Sequence, residues 1–133
     1  MAFELFVNGT LMRGLKLHEN LDGAEFLGAF RTAPRYRLFS IGDVHPGMFE
    51  VAPGEAGVAV AGELYRVPED VWARVEAGEP PGLYRGRITL EDGRETWGIL
   101  FPRELAEGRH REITEFGDWR AYWASRDAEP AGG

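Results

Sequence analysis

The stretch from Val58 to Val67 alternates Val58, Val60, Gly62, Leu64 and Arg66 against Ala59, Ala61, Glu63, Tyr65 and Val67, and then meets Pro68-Glu69-Asp70. Two-residue alternation suits a strand whose two sides see different surroundings. Pro68 followed by two acids suits the first turn of a helix, where a backbone N–H would be unpaired anyway and carboxylates meet the positive end of the dipole. The chain must therefore pass from strand straight into helix. Val71, Trp72 and Val75 fall at helical spacing and should face the core, and the helix should end near Ala77-Gly78. A unit of this kind within 133 residues is most simply part of one domain with a sizeable core.

Eighteen glycines and eight prolines cut the rest into short segments. Phe3 to Val7 reads as a strand, as do Ala24 to Thr32 (closed by Pro34) and Arg35 to Ile41. His45 to Val51 should be an irregular strand, because Pro46 has no N–H for a ladder. Tyr84–Leu90 and Thr96–Phe101 form a hairpin through Asp92-Gly93. A short helix is expected over Leu15–Asp22, with Leu17 and Leu21 on one side and Gly23 ending it. A last one is expected over Asp118–Ser125, capped by Asp118. The reading is a single α+β domain over residues 1–126, with six or seven strands and few helices, and a frayed tail over 127–133.

A net charge of -7 argues against nonspecific nucleic-acid or anionic-membrane partners, both of which need a basic face. No segment approaches the ~20 apolar residues that span a bilayer, and no leader pattern opens the chain, so a cytoplasmic protein is the default. With no cysteine there is no disulfide, thiolate nucleophile or cysteine-bound metal. His18, His45 and His110 fit no metal-ligand spacing, and nucleotide-binding glycine motifs are missing, so neither a metal nor a cofactor is expected. Ser40 and Ser125 lack the strained turn that exposes a nucleophile.

Two places remain for chemistry. The first strand stops at Asn8-Gly9-Thr10-Leu11-Met12, a glycine turn whose amides can meet an anion or a carbonyl oxygen, or a turn that simply reverses the chain. The second is Glu79, just past a helix and ahead of Pro80-Pro81-Gly82. Rigid backbone there can hold its carboxyl partly out of water, raising its pKa toward that of a general base; the alternative is a loop glutamate in solvent. Tyr84 lies close enough in sequence to point into the same hollow or to pack on its strand. His45, in His45-Pro46-Gly47-Met48, can line a cleft or serve structure alone.

With those residues in hand, the chain resembles the gamma-glutamylcyclotransferase-like superfamily. Gly9-Thr10-Leu11 matches its loop after the first strand, Glu63-Leu64-Tyr65 with Pro68 matches its strand-to-helix passage, and Glu79 falls where its catalytic glutamate belongs. One branch is similar over nearly the whole chain. Phe6–Gly14, Thr32–Leu38, His45–Met48 and Ile113–Tyr122 resemble the C-terminal domain of allophanate hydrolase, here without the preceding amidase domain and so as a free-standing relative. The resemblance implies a small mixed β-barrel with short flanking helices and a small-molecule substrate, and leaves a homodimer open.

For a cyclotransferase the resemblance implies that Glu79 takes a proton from the substrate's α-amine. That amine attacks the γ-amide carbonyl and releases 5-oxoproline and an amine, to which Glu79 returns a proton, while the loop amides of Asn8, Gly9, Thr10, Leu11 and Met12 hold the substrate; Tyr84 is a further binding candidate by its place in the chain. The hydrolase branch implies instead an accessory role on an N-carboxylated urea, and a noncatalytic binding module would use the same hollow. Asn8 stands where cyclotransferases carry tyrosine, and Thr10 stands where the hydrolase branch carries a histidine. Retention of Glu79 favours the cyclotransferase reading. That reading requires residues 9–11 and 79 to converge on one hollow.

Overall fold

The computed structural model describes residues 2–127, so the tail expected to fray lies, beyond Asp127, outside the described residues. The strands are β1 (Ala2–Val7), β2 (Glu25–Arg31), β3 (Tyr36–Ile41), β4 (His45–Glu50), β5 (Ala61–Pro68), β6 (Tyr84–Thr89), β7 (Glu95–Leu100) and the two-residue β8 (Arg111–Glu112). Three helices accompany them: α1 (Glu69–Ala77), α2 (Arg103–Ala106) and α3 (Trp119–Asp127). The fold is α+β, with the strands in two sheets ordered β2-β5-β1-β7-β6 and β4-β3-β8.

β1 is the axis of the larger sheet. It runs antiparallel to β5, with Leu5 opposite Tyr65 and Phe6 opposite Leu64, and parallel to β7, with Phe6 opposite Gly98. Leu5 and Phe6 are neighbours and therefore point to opposite faces, yet neither is exposed at all. Both faces of the sheet centre are thus covered, by one apolar core that reaches Val71 and Val75 of α1 and Trp119 and Tyr122 of α3. A second, smaller cluster of Phe39, Phe49, Val51, Phe101 and Ala106 sits against the three-stranded sheet.

The mixed sheet implied by the resemblance is present, but the described strands do not close into a continuous ring. The two edge strands of the larger sheet meet only at one end, where Thr32 pairs with Leu90 and the Ala33 amide donates to Thr89 at 2.9 Å. β2 also carries a bulge between Phe26 and Gly28, which shifts its register on β5.

Strand-to-helix passage occurs at Pro68-Glu69 as predicted, but the strand itself starts three residues later than the alternation. Val58 pairs with Tyr36, across to the smaller sheet, and the Ala61 amide donates to Gly117 at 2.8 Å, so Val58–Val60 joins the sheets and β5 begins at Ala61. β5 is also buried on both sides, from Gly62 to Tyr65: Leu64 joins the apolar core, while Arg13 and Arg120 reach over to Glu63. The Asp92-Gly93 hairpin is as expected, with Gly93 at φ 90 as its turn requires. Asp118 caps α3 through Oδ1, which accepts from the Arg120 amide at 2.8 Å.

Residues 15–22 do not form the expected α-helix; only His18–Leu21 makes a 3-10 turn. The reason is upstream. Turn bonds from Leu15 to Met12 and from Leu17 back to Thr10 tie the segment to the loop after β1, and Gly14 takes φ 79. The short α2 and β8 in the charged stretch after Phe101 had no apolar period to announce them.

Candidate active site

Three elements bring the site together. β1 ends at Val7 in the sheet centre and delivers Asn8–Leu11; β4 begins at His45-Pro46; α1 ends at Ala77, is capped by Gly78, whose amide donates to Val75 O at 3.1 Å, and releases Glu79 into the Pro80-Pro81 turn. Asn8, Gly9, Thr10, Leu11, His45 and Glu79 line one cavity of about 20 Å³ with Val7, Pro46, Leu83 and Ile99. That volume admits about one water-sized group. Glu79, Leu83 and Ile99 also border a larger groove of about 260 Å³ with Trp72, Glu76, Tyr84 and Arg85. Glu79 is therefore shared by a small inner hollow, walled largely by buried residues, and a larger outer groove that reaches the exposed Tyr84.

Two of the residues singled out from sequence do not line the inner cavity. Met12 is buried in the core, and its amide is occupied by a 3.0 Å bond to Gly9 O, which closes the turn. Tyr84 is 49% exposed and belongs to the outer groove. Gly9 also has a reason different from the one expected. A Cβ there would lie 2.7 Å from the Pro46 ring, so the missing side chain admits β4 rather than a ligand. The amides of Gly9, Thr10 and Leu11 donate to no protein acceptor among the described residues, whereas their carbonyls are engaged by Met12, Leu17 and His18 respectively. Pro46, Leu83 and Ile99 complete the walls, and nothing in the sequence linked them to Asn8-Gly9.

Glu63 and Glu79 are both withdrawn from solvent, with opposite character. Glu63, on β5, is 5% exposed. It accepts from the Arg13 amide at 2.9 Å, Arg13 Nε at 3.2 Å, Tyr65 OH at 2.9 Å and Arg120 Nη2 at 3.4 Å. Burial pushes its pKa up, but the bonds from Arg13 and Tyr65 outweigh this and hold it below the ordinary value. Sequence alternation placed Glu63 on a strand without revealing these donors.

Glu79 has none: its Oε1 is buried and has no hydrogen-bond partner. With no compensating charge or donor, burial alone pushes its carboxyl up to about 7. The two environments push like groups in opposite directions, one by hydrogen bonding to the charged form and one by desolvation.

His45 is 6% exposed, and its Nδ1 lies 3.1 Å from Pro46 O. Burial lowers its pKa, opposed by the Pro46 bond and reinforced by nearby His110, so the ring is neutral at neutral pH. A carbonyl oxygen only accepts. Nδ1 must therefore carry the proton, leaving Nε2 as a bare lone pair. Phe101 packs between His45 and His110, with ring centroids 6.3 Å and 6.4 Å away. His110 is thus half-buried, and His18 is half-buried with Nδ1 at 2.9 Å from Leu11 O. Asn8 is buried and donates from Nδ2 to the Met48 thioether at 3.7 Å, so its Oδ1 has no protein donor. Among the described residues no group of three or more His, Asp or Glu is arranged to hold a metal, and no helix is long and apolar enough to cross a membrane.

Comparison with known proteins agrees with this arrangement of strands and loops. A Vibrio cholerae protein provisionally named a gamma-glutamylcyclotransferase is 32% identical over 119 residues, covering 90% of this chain and 96% of its own. The crystal structure of a uropathogenic E. coli-specific protein superposes with a TM-score of 0.87 at 45% identity, over 93% of this chain and 97% of that one. Kluyveromyces lactis allophanate hydrolase matches 95% of this chain at 27% identity and a TM-score of 0.84, but over only 22% of its own length. The family model described as allophanate hydrolase C-terminal domain matches residues 3–124. On that extent of agreement, the chain belongs to the allophanate hydrolase C-terminal domain family, with a gamma-glutamylcyclotransferase-like relative alongside.

Proposed function

We propose that this protein is an enzyme of gamma-glutamylcyclotransferase type, acting on a small γ-glutamyl amine with Glu79 as general base and acid. The observation that carries the reading is the unpartnered Oε1 of Glu79, held in one small cavity with the Asn8–Leu11 loop. A carboxyl that titrates near 7 can accept a proton and return it at neutral pH, which an ordinary solvated glutamate does poorly.

In this reaction the substrate's α-nitrogen forms a bond to its own γ-carbonyl carbon as the amide C–N bond breaks. Glu79 takes the proton from the attacking nitrogen and delivers it to the departing one, so 5-oxoproline and a free amine leave and no other reactant is needed. The free amides of Gly9, Thr10 and Leu11 supply donors for the carbonyl oxygen as it gains charge. The reacting amine and carbonyl of such a substrate lie between Glu79 and the loop, and the remainder extends into the 260 Å³ groove that shares Glu79, Leu83 and Ile99 with the hollow. Kinship with the V. cholerae relative supports the same class.

The test is 5-oxoproline release from a panel of γ-glutamyl amines. Glu79→Gln should lower turnover by about 10²–10⁴-fold. Full activity in that variant would remove Glu79 from the mechanism, and absence of 5-oxoproline from the whole panel would remove the reaction.

A second reading rests on the family match over residues 3–124: an accessory step on a carboxylated urea, of the kind the name allophanate hydrolase suggests. It predicts a changed ammonia yield when this protein is added to an isolated amidase domain, and an unchanged yield excludes it.

A further inference from the structure

We infer that the inner cavity is an ammonium-binding subsite in which Asn8 Oδ1 and His45 Nε2 are fixed acceptors beside Glu79, so that its occupant is the head of a primary amine. The argument counts donors and acceptors. The side chains with polar groups on the cavity wall are Asn8, Thr10, His45 and Glu79, and no lysine or arginine lines it. Asn8 turns its Nδ2 to the Met48 thioether, which leaves the carbonyl oxygen free. His45 uses Nδ1–H on Pro46 O, which leaves a lone pair at Nε2. Glu79 contributes a carboxyl oxygen with no partner.

These are three acceptors around a water-sized space. An anion there would face three lone pairs with no side-chain cation, and its donors would be limited to the Thr10 hydroxyl and the loop amides of Gly9, Thr10 and Leu11, which serve the substrate carbonyl. A primary ammonium has three N–H donors, one for each acceptor, and matches the space in size. A quaternary ammonium has no donor and is too wide, and an acylated amine has one donor and an added carbonyl. The subsite therefore selects for a free, unsubstituted amine. A short amide anchored on Met48 thus presents an acceptor at the cavity wall.

The inference deepens the proposed function, and rests on it only for the identity of the whole substrate. Amine binding can be measured without turnover. The probe is methylammonium chloride, with tetramethylammonium chloride at equal ionic strength as control, at pH 8 where Glu79 is ionised and His45 neutral. Nitrogen-15 imidazole spectra of the wild-type protein should show His45 as the Nδ1–H tautomer. Its Nε2 resonance should shift saturably with methylammonium and stay put with tetramethylammonium. His45→Phe, which keeps a ring but no acceptor, and Asn8→Leu should each weaken methylammonium about tenfold or more, as expected for losing one hydrogen bond to a charged group.

An Nε2–H tautomer overturns the inference, as does an equal response to the two salts; neither outcome depends on whether the variants fold. The outcomes also separate from the previous test. Methylammonium binding without 5-oxoproline formation keeps the subsite and removes the cyclotransferase reading, whereas 5-oxoproline formation with the wrong tautomer does the reverse.

Discussion

Replacing Glu79 with glutamine should stabilise this protein at alkaline pH and leave it unchanged at acid pH. In the unfolded chain the carboxyl ionises near 4.5, and in the folded chain burial raises this to about 7. Between those values the folded state holds a proton that the unfolded state has lost. Stability is therefore complete below about 4.5, falls as pH rises toward about 7, and stays low above it. At about 1.4 kcal/mol per pH unit the gap amounts to about 3 kcal/mol. Glutamine is nearly isosteric and cannot ionise, so its advantage over glutamate should be near zero at pH 4 and about 3 kcal/mol at pH 8. For a domain of this size that is about 10 °C in melting temperature. Urea denaturation of both proteins across this range measures the difference, and the pH dependence of every other group cancels in it. A difference that does not change with pH, or a variant less stable at pH 8, would mean that the folded carboxylate has a partner or free water, and the reasoning would fail.

Glu63→Ala should behave in the opposite sense. Its carboxylate is held by Arg13, Tyr65 and Arg120, so the variant should lose about 2–4 kcal/mol at neutral pH by leaving the Tyr65 hydroxyl and the Arg13 amide unpaired. This gap, read by the same denaturation, should shrink as pH drops below the ordinary glutamate value, because the wild-type pKa is lowered. Gly9→Ala should cost about 1–3 kcal/mol, since the added Cβ lies 2.7 Å from the Pro46 ring and one loop must move. Neutral behaviour in thermal unfolding would show that Pro46 yields freely.

Much of the local structure was legible from short-range rules. Pro68 and two acids mark the start of α1, Asp92-Gly93 marks the hairpin, and Asp118 marks the start of α3, because each acts on its own backbone within a few residues. The helix expected over Leu15–Asp22 failed for a related reason: Leu17 and Leu21 supplied a helical spacing, but a bond from the Leu17 amide to Thr10 O competes with it. Glu79 could be marked as a candidate by its place between a helix end and two prolines.

Chain order alone thus determined which segments extend, which coil and where the acids and glycines fall, since torsional preference and periodicity are properties of neighbouring residues. Tertiary structure decided which carboxylate is satisfied and which is left bare. Glu63 meets donors from residues 13, 65 and 120, and Glu79 meets none while facing residues 8–11 and 45 across the cavity. Desolvation and hydrogen bonding depend on what arrives from elsewhere in the chain, and no local pattern carries that information.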